Sequence, residues 1–282
     1  MEKPMKTGWH IMSDTEYFGR NTDMNASGLV KIYKWMRFLP FDSQTITKSP
    51  ALLTGTAFHL LALQPEIFAK SIGEFKGNLS TKEGKAEMKS LLEMQKTNPG
   101  MSIVYKKDLD LARSMAEAVK NSSEAQDILR GCVFEQAGFR KLKFDTYERN
   151  PPEFAKIKID ARKKGILVDL KSTTAKSRDD IQQAVEDYHY DMKAAYYFDV
   201  ANPIEELNKT GITYDRFIWI FVTKDTHECV CYEASDEDLA IGRQKYLLAY
   251  EILLNYYNLG IIDTVLDCPA WKYKNYKVKG MI

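Results

Sequence analysis

The 282-residue chain has few cysteines, no long apolar run and almost no net charge. The four cysteines, Cys132, Cys229, Cys231 and Cys268, are scattered. That spacing excludes a disulfide framework, and no second close pair joins Cys229-x-Cys231 to complete a zinc site. Reduced thiols in the cytoplasm are the expectation. No apolar stretch approaches the roughly 20 residues of a membrane span, and the first residues lack a leader pattern, so no membrane partner is expected. Lys and Arg number 40 against 39 Asp and Glu, a net charge of +1. The chain is therefore no polycation, although a local basic groove is compatible with this balance. There is no internal repeat and no long linker. A hydrophobic content of 44% with 28% charged residues is that of an ordinary globular protein with ample core.

The most informative stretch is 154–174, FAKIKIDARKKGILVDLKSTT. It reads as two short strands, 155–161 and 166–172, joined by a turn over Arg162-Lys163-Lys164-Gly165. A hairpin turning at Lys163-Lys164 sets Asp160 opposite Leu167, with Asp160, Asp169 and Lys171 on one face. Diagonal neighbours on such a face lie roughly 7–8 Å apart, close enough for two carboxylates to hold one metal ion. Aspartate oxygens suit a hard cation such as Mg2+, which also binds phosphate oxygen. Lys171 would point at the same place and orient or help deprotonate an attacking water.

Taken in order, residues 1–25 read as polar and irregular, and Ser27 as the N-cap of a short helix ending near Trp35. An apolar helix carrying His59 covers 52–63 and stops at Pro65. A lysine-rich surface stretch with a helical middle spans 77–100. Helices follow over 108–120 and 123–129, then a strand over 133–143 and the hairpin. A single long helix is expected over 179–200, carrying Tyr188, Tyr190, Tyr196 and Tyr197. FIWIFV (217–222) reads as a strand buried on both faces, 229–233 as another, and Ser235 as the cap of a last helix ending near Gly260. Helices, then a compact mixed sheet, then helices describe an α/β fold with a helical N-terminal part.

Several pieces in this order resemble the PD-(D/E)xK nucleases of the RecB-like branch, and more closely the exodeoxyribonuclease VIII (RecE) nuclease family with its phage and prophage relatives. They are Ser27-Gly28-Leu29, GTAFHLLALQPEIF (55–68), the segment 108–129, KIKID (156–160), VDLKSTT (168–174), KAAYYFD (193–199), Gly242-Arg243 with Tyr246, and the Trp271 segment. The resemblance covers about residues 15 to 275. It implies one nuclease domain over 1–282: a mainly helical part (1–130), a sheet core with the active site (131–235), and a C-terminal helix and tail (236–282). It also implies a Mg2+-dependent exonuclease, with Mn2+ as substitute, that digests double-stranded DNA ends 5′ to 3′ and leaves 3′ single-stranded tails for recombination. Carried over by position, His59, Asp160, Asp169 and the backbone carbonyl of Leu170 are metal ligands, and Lys171 with the two aspartates is catalytic. Lys193, Tyr197, Ser172 and Thr173 are DNA-binding candidates, and Glu135 a candidate for a second metal. The family usually has Gln where this chain has Lys193, which can grip a phosphate but cannot accept a hydrogen bond. The implied partners are a single-strand annealing (RecT-like) recombinase and further copies of the chain, a tetramer in preference to a trimer. The implied setting is the cytoplasm of a bacterial host.

Within the superfamily the alternatives are an endonuclease such as a junction resolvase, or an iron–sulfur nuclease, whose early cysteine and late cysteine trio are not matched here. Outside catalysis the alternative is a DNA-binding module that has kept the nuclease fold. The basic, aromatic tail at 271–279 is a candidate for the subunit interface or the DNA channel.

Overall fold

A computed structural model describes residues 5–38, 49–143 and 149–260. The tail at 271–279 and Cys268 lie outside the described residues. Among these residues the architecture is α/β, a central, mostly antiparallel sheet flanked by helices.

The sheet is built around strand β8 (Tyr214–Thr223), whose apolar run faces both ways. Phe217, Trp219 and Phe221 enter one core layer, and Ile218, Ile220 and Val222 the other. On the first side lie helices α2 (Ala26–Trp35), α9 (Tyr190–Leu207) and α10 (Asp236–Leu259); on the second lie α3 (Pro50–Leu63), α6 (Lys106–Asn121) and α7 (Ser123–Leu129). The strand order is β1 (Gly8–His10), β5 (Val133–Lys141), β6 (Phe154–Lys163), β7 (Gly165–Thr173), β8 and β9 (Cys229–Glu233). Strands β7 and β8 run parallel through a helical crossover, as parallel neighbours must. A separate parallel pair, β3 (Ile72–Phe75) and β4 (Ser102–Tyr105), is bridged by α5 (Lys82–Thr97), the helical middle of the lysine-rich stretch.

Four local expectations are corrected. Residues 8–25 are structured: β1 and β2 (Met24–Asn25) join the sheet around α1 (Asp14–Gly19), whose Ser13 and Glu16 form a capping box. The segment is anchored by Lys156, a buried residue of β6 that donates to the carbonyls of Tyr17 at 2.8 Å and Arg20 at 2.6 Å. Helix α2 is capped two residues earlier than expected, by Asn25 rather than Ser27, with the Gly28 N–H donating to Asn25 Oδ1 at 2.9 Å. The helix expected over 179–200 is two, α8 (Arg178–Asp187) and α9, separated where His189 takes φ 53°. A left-handed residue cannot continue a right-handed helix.

The hairpin register is the fourth. Gly165 takes φ 83°, which centres the turn on Lys164-Gly165 and pairs Lys163 with Ile166, Arg162 with Leu167 and Ala161 with Val168. Leu167 is thus two residues from the assumed position opposite Asp160. The β6–β7 pairing ends at Ala161↔Val168, so Asp160 and Asp169 stand where the strands part.

Helices α9 and α10 pack at close range around Gly242, where a Cβ would lie 2.1 Å from the Asp191 carbonyl oxygen. The contact is pinned by Arg243, which binds Asp199 through two bonds of 2.8 and 2.7 Å. Backbone cannot yield as a flexible side-chain tip can. Gly242→Ala is expected to destabilise the fold by at least about 2 kcal/mol, the scale of core overpacking. Thermal unfolding measures it, and an unchanged melting temperature would contradict this packing.

Candidate active site

The site sits in a gap in the sheet. One edge of β6 is paired with β5 along residues 154 to 162. The other edge is divided: β7 takes residues 161–163 and β2 takes 155–156, leaving 157–160 without a strand partner on that side among the described residues. Two side chains satisfy the exposed backbone. The Tyr197 hydroxyl donates to the Lys158 carbonyl at 3.1 Å, and Asp160 Oδ2 accepts the Leu170 N–H at 2.6 Å.

The pleat also slips here. Ile157 and Ile159 pack into the α9 layer, yet Ala161 packs into the α3 layer, although strict alternation would keep all three on one face. On β5, Glu135 stands opposite Asp160 between the pairs Phe134↔Ala161 and Gln136↔Ile159, with φ 50°. A left-handed non-glycine residue inside a strand costs on the order of 1–3 kcal/mol, and such strain concentrates at functional sites. The distortion releases Asp160 from the face of Asp169 and turns it to α3. The expectation that Asp160, Asp169 and Lys171 share one face is corrected accordingly: they converge through the gap, from both sides of the sheet.

Helix α3 supplies His59. It starts at Pro50, with the Ser49 hydroxyl accepting the Leu52 N–H, and Gly55, one turn before the histidine, has open space where a Cβ would be. His59 Nδ1 lies 3.5 Å from Asp160 Oδ1 and 3.7 Å from Glu135 Oε1. Ligand atoms of His59, Glu135 and Asp160 all fall within 4.8 Å of one another. One imidazole nitrogen and two carboxylate oxygens form a suitable donor set for a divalent cation of the Mg2+ or Mn2+ kind. Burial opposes charge on this cluster, but its mutual attraction prevails. Asp160 and Glu135 push His59 up to about 10, and the His59 and Lys171 charges with the Leu170 N–H hold Asp160 down to about 2.

Across the gap, Asp169 and Lys171 face the α9 layer, since Val168 and Leu170 between and beside them pack into the opposite core. The Lys171 ammonium lies 2.5 Å from Asp169 Oδ2. Burial raises the Asp169 carboxyl, as does the neighbouring Asp160 charge. Burial alone would lower Lys171, but the two aspartates raise it. Helix α9 presents Tyr190, Lys193 and Tyr197 on one face, at helical spacing. The Tyr190 ring has Lys171 5.5 Å and Lys193 5.2 Å from its centroid. Burial, with the Lys171 charge, lowers Lys193 to about 8.

The structure therefore gathers His59, Glu135, Asp160, Asp169, Lys171, Lys193 and Tyr197. Leu170 enters through its N–H. Ser172 is not gathered: alternation turns it to the face opposite Lys171. Thr173 ends β7 with its hydroxyl accepting the Ala175 N–H at 3.1 Å. Sequence reasoning gave Glu135 only a peripheral place and overlooked Lys158, which binds Glu135 at 2.9 Å. Its one signal was the alternation in Lys156-Ile157-Lys158-Ile159-Asp160, which places the lysine on the polar face.

Residues 36–258 match the family model described as a PDDEXK-like domain of unknown function (DUF3799). The chain belongs to this family. Its members' description as PDDEXK-like accords with Asp160, Asp169 and Lys171 at a break in the sheet, and the family supports nuclease activity. A crystal structure of a "putative exonuclease" from Eubacterium rectale has a TM-score of 0.56 to this chain at 16% identity. That match covers 97% of this chain and 96% of the other, and shows a shared fold. The crystal structure of SSO0001 matches at a TM-score of 0.29 and 13% identity, over 70% of this chain and 74% of that one. No curated protein matches. No helix among the described residues of this PDDEXK-like chain is long and apolar enough to cross a membrane.

A divalent cation held by this cluster would compete with a proton for His59 Nδ1. Because its pKa is raised to about 10, the proton is present throughout the neutral range and must leave when a cation binds. Affinity for Mn2+ is expected to rise with pH up to that value, by roughly tenfold per pH unit. Calorimetry in buffers of different protonation enthalpy measures the release, and a pH-independent affinity would remove His59 from the ligand set.

Proposed function

We propose that this chain is a divalent-metal-dependent exonuclease that digests linear duplex DNA from 5′ ends and leaves 3′ single-stranded tails, as the RecE-type nucleases do. The observation that carries the metal-dependent reading is the convergence of His59, Glu135 and Asp160 within 4.8 Å, with Asp169 and Lys171 beside them across the gap. The direction of digestion rests on the resemblance in sequence. His59, Asp160, Asp169 and the Leu170 carbonyl are the metal ligands in this reading, with Glu135 added by the geometry. When bound there, Mg2+ or Mn2+ supplies Lewis acidity and an acidified water.

The residues divide the remaining work. Lys171, raised and therefore an ammonium, orients the attacking water and offsets charge building on the phosphate; an ammonium has no lone pair with which to take a proton. Asp169 fixes that ammonium at 2.5 Å. Tyr197 is committed to the Lys158 carbonyl and so holds the gap open. Lys193 has a half-buried ammonium and takes a phosphate oxygen of the DNA.

A net charge of +1 gives the chain little overall positive charge to retain a duplex during repeated cleavage. A ring of subunits, a tetramer in preference to a trimer, supplies the enclosure. A single-strand annealing recombinase is the proposed recipient of the 3′ tail, and the bacterial cytoplasm the setting. Light scattering gives the assembly.

Purified protein with linear duplex labelled at the 5′ or the 3′ end, with and without Mg2+, tests the reading. Early loss of the 5′ label and sparing of closed circles are expected; cutting of closed circles would instead favour an endonuclease. Lys171→Ala is expected to lower the rate by at least about 10³-fold, the scale of removing a transition-state charge partner. Near wild-type digestion by that variant would show that the chemistry lies elsewhere. Lys193→Glu is expected to weaken DNA binding and flatten its dependence on salt, since one counterion-releasing contact is lost. Equal affinities of variant and wild type across a salt series would place Lys193 off the DNA path.

A further inference from the structure

Each carboxylate that faces His59 has its second oxygen committed elsewhere. Asp160 turns Oδ1 to His59 and gives Oδ2 to the Leu170 N–H. Glu135 turns Oε1 to His59, while Oε2 lies 2.9 Å from Lys158 Nζ. The same ammonium reaches Asp14 Oδ1 at 2.5 Å, and only 20% of the Lys158 side chain is exposed. Asp14 is the first residue of α1, and the capping box of Ser13 and Glu16 fixes that helix start. A compact cation is thus built in between two carboxylates, one of which also serves the cluster around His59.

In two-metal phosphodiesterases a pair of ions about 3.5–4 Å apart shares bridging carboxylates. Here the outer position beside Glu135 is filled by an ammonium that dilution cannot remove. Mg2+ demands near-ideal octahedral geometry and several retained waters, whereas both carboxylates here already contact the Lys158 ammonium, Asp14 at 2.5 Å and Glu135 at 2.9 Å. A second divalent ion would also stand against the lysine charge. On the metal-dependent reading above, we infer that Lys158 occupies the place of a second metal ion, so that the site takes one divalent cation, whose ligands include His59, Glu135 Oε1 and Asp160 Oδ1. Lys158 is then a positioning residue, holding Glu135 in its left-handed conformation and supplying a fixed second positive charge. This assigns Glu135 to the first metal rather than to a second.

The test is a Mn2+ titration of the full chain without DNA, with free Mn2+ followed by electron paramagnetic resonance. The wild type is expected to bind one Mn2+ per chain, Lys158→Ala two, and Lys158→Arg one. Lys158→Gln keeps the length of the side chain and is expected to behave as Lys158→Ala; circular dichroism melts establish that both variants fold. The double variant Asp14→Asn, Lys158→Ala is expected to return to one, because the outer position then keeps only the Glu135 carboxylate that it shares with the first ion. Two ions on the wild type would overturn the inference, as would a single ion on folded Lys158→Ala and Lys158→Gln. No Mn2+ on the wild type would instead remove the metal-dependent reading on which the inference rests.

Discussion

Backbone hydrogen bonding along the second edge of β6 is the constraint on which the site depends. A buried N–H or carbonyl left unpaired costs on the order of 1–3 kcal/mol, so a strand that loses its neighbour must find other partners. Strand β6 loses β7 after Ala161 and regains a neighbour only at β2. Between them the Tyr197 hydroxyl and the Asp160 carboxylate substitute for a ladder. The groups that make the gap tolerable are therefore among those that furnish it, and the site and the break in the sheet are one feature. The N-terminal segment belongs to this arrangement. Without β2 and the Lys156 anchor, the lower half of the β6 edge would be open as well.

Burial of acidic groups does not by itself mark a site, as Glu205 shows. It is more deeply buried than Asp160, yet it accepts from Trp9 at 2.8 Å, Tyr214 at 2.7 Å, Thr210 at 2.6 Å and Arg162 at 3.3 Å. Those donors close the shell and leave no oxygen directed at open space, so Glu205 ties β1, β6, α9 and β8 together. In the cluster around His59 the two carboxylates meet at one imidazole nitrogen at 3.5 and 3.7 Å, longer than a good hydrogen bond. The donor atoms are close enough to share a cation and too far apart to satisfy one another fully.

Most of this was legible in the chain. The two-sided strand FIWIFV, the helices over 108–129 and the Ser235 cap follow from periodicity and capping residues; Asp160, Asp169 and Lys171 stand out by their spacing in the hairpin, and His59 only through the resemblance in sequence. The register of the hairpin did not, because Lys163-Lys164 and Lys164-Gly165 are both two-residue turns in the sequence, and only the φ of Gly165 separates them. The break at His189 was hidden because residues 179–200 keep a helical apolar spacing across it. The place of Glu135 beside His59 was hidden for a different reason. Its importance arises from a slip in the pleat, and a pattern of alternation can only report the regular case. Strands as short as β1 and β2 carry too few residues to show a period at all.

Lys193 shows how the charge balance extends to the α9 side. It stands where the resembled family usually has Gln, which is neutral and would cost little to bury. Two ammoniums approach one tyrosine ring, and the negative face of Tyr190 offsets only part of their repulsion. Lys171 has Asp169 at 2.5 Å, whereas Lys193 takes from the same aspartate only a weaker, longer-range attraction, and its pKa falls to about 8. Below that value the side chain is an incompletely balanced cation next to Lys171. An anion brought to the mouth of the gap would relieve the imbalance that glutamine would never create. Lysine in place of glutamine thus exchanges a hydrogen-bonding group for a charge whose cost in the free protein a phosphate bound beside it would recover.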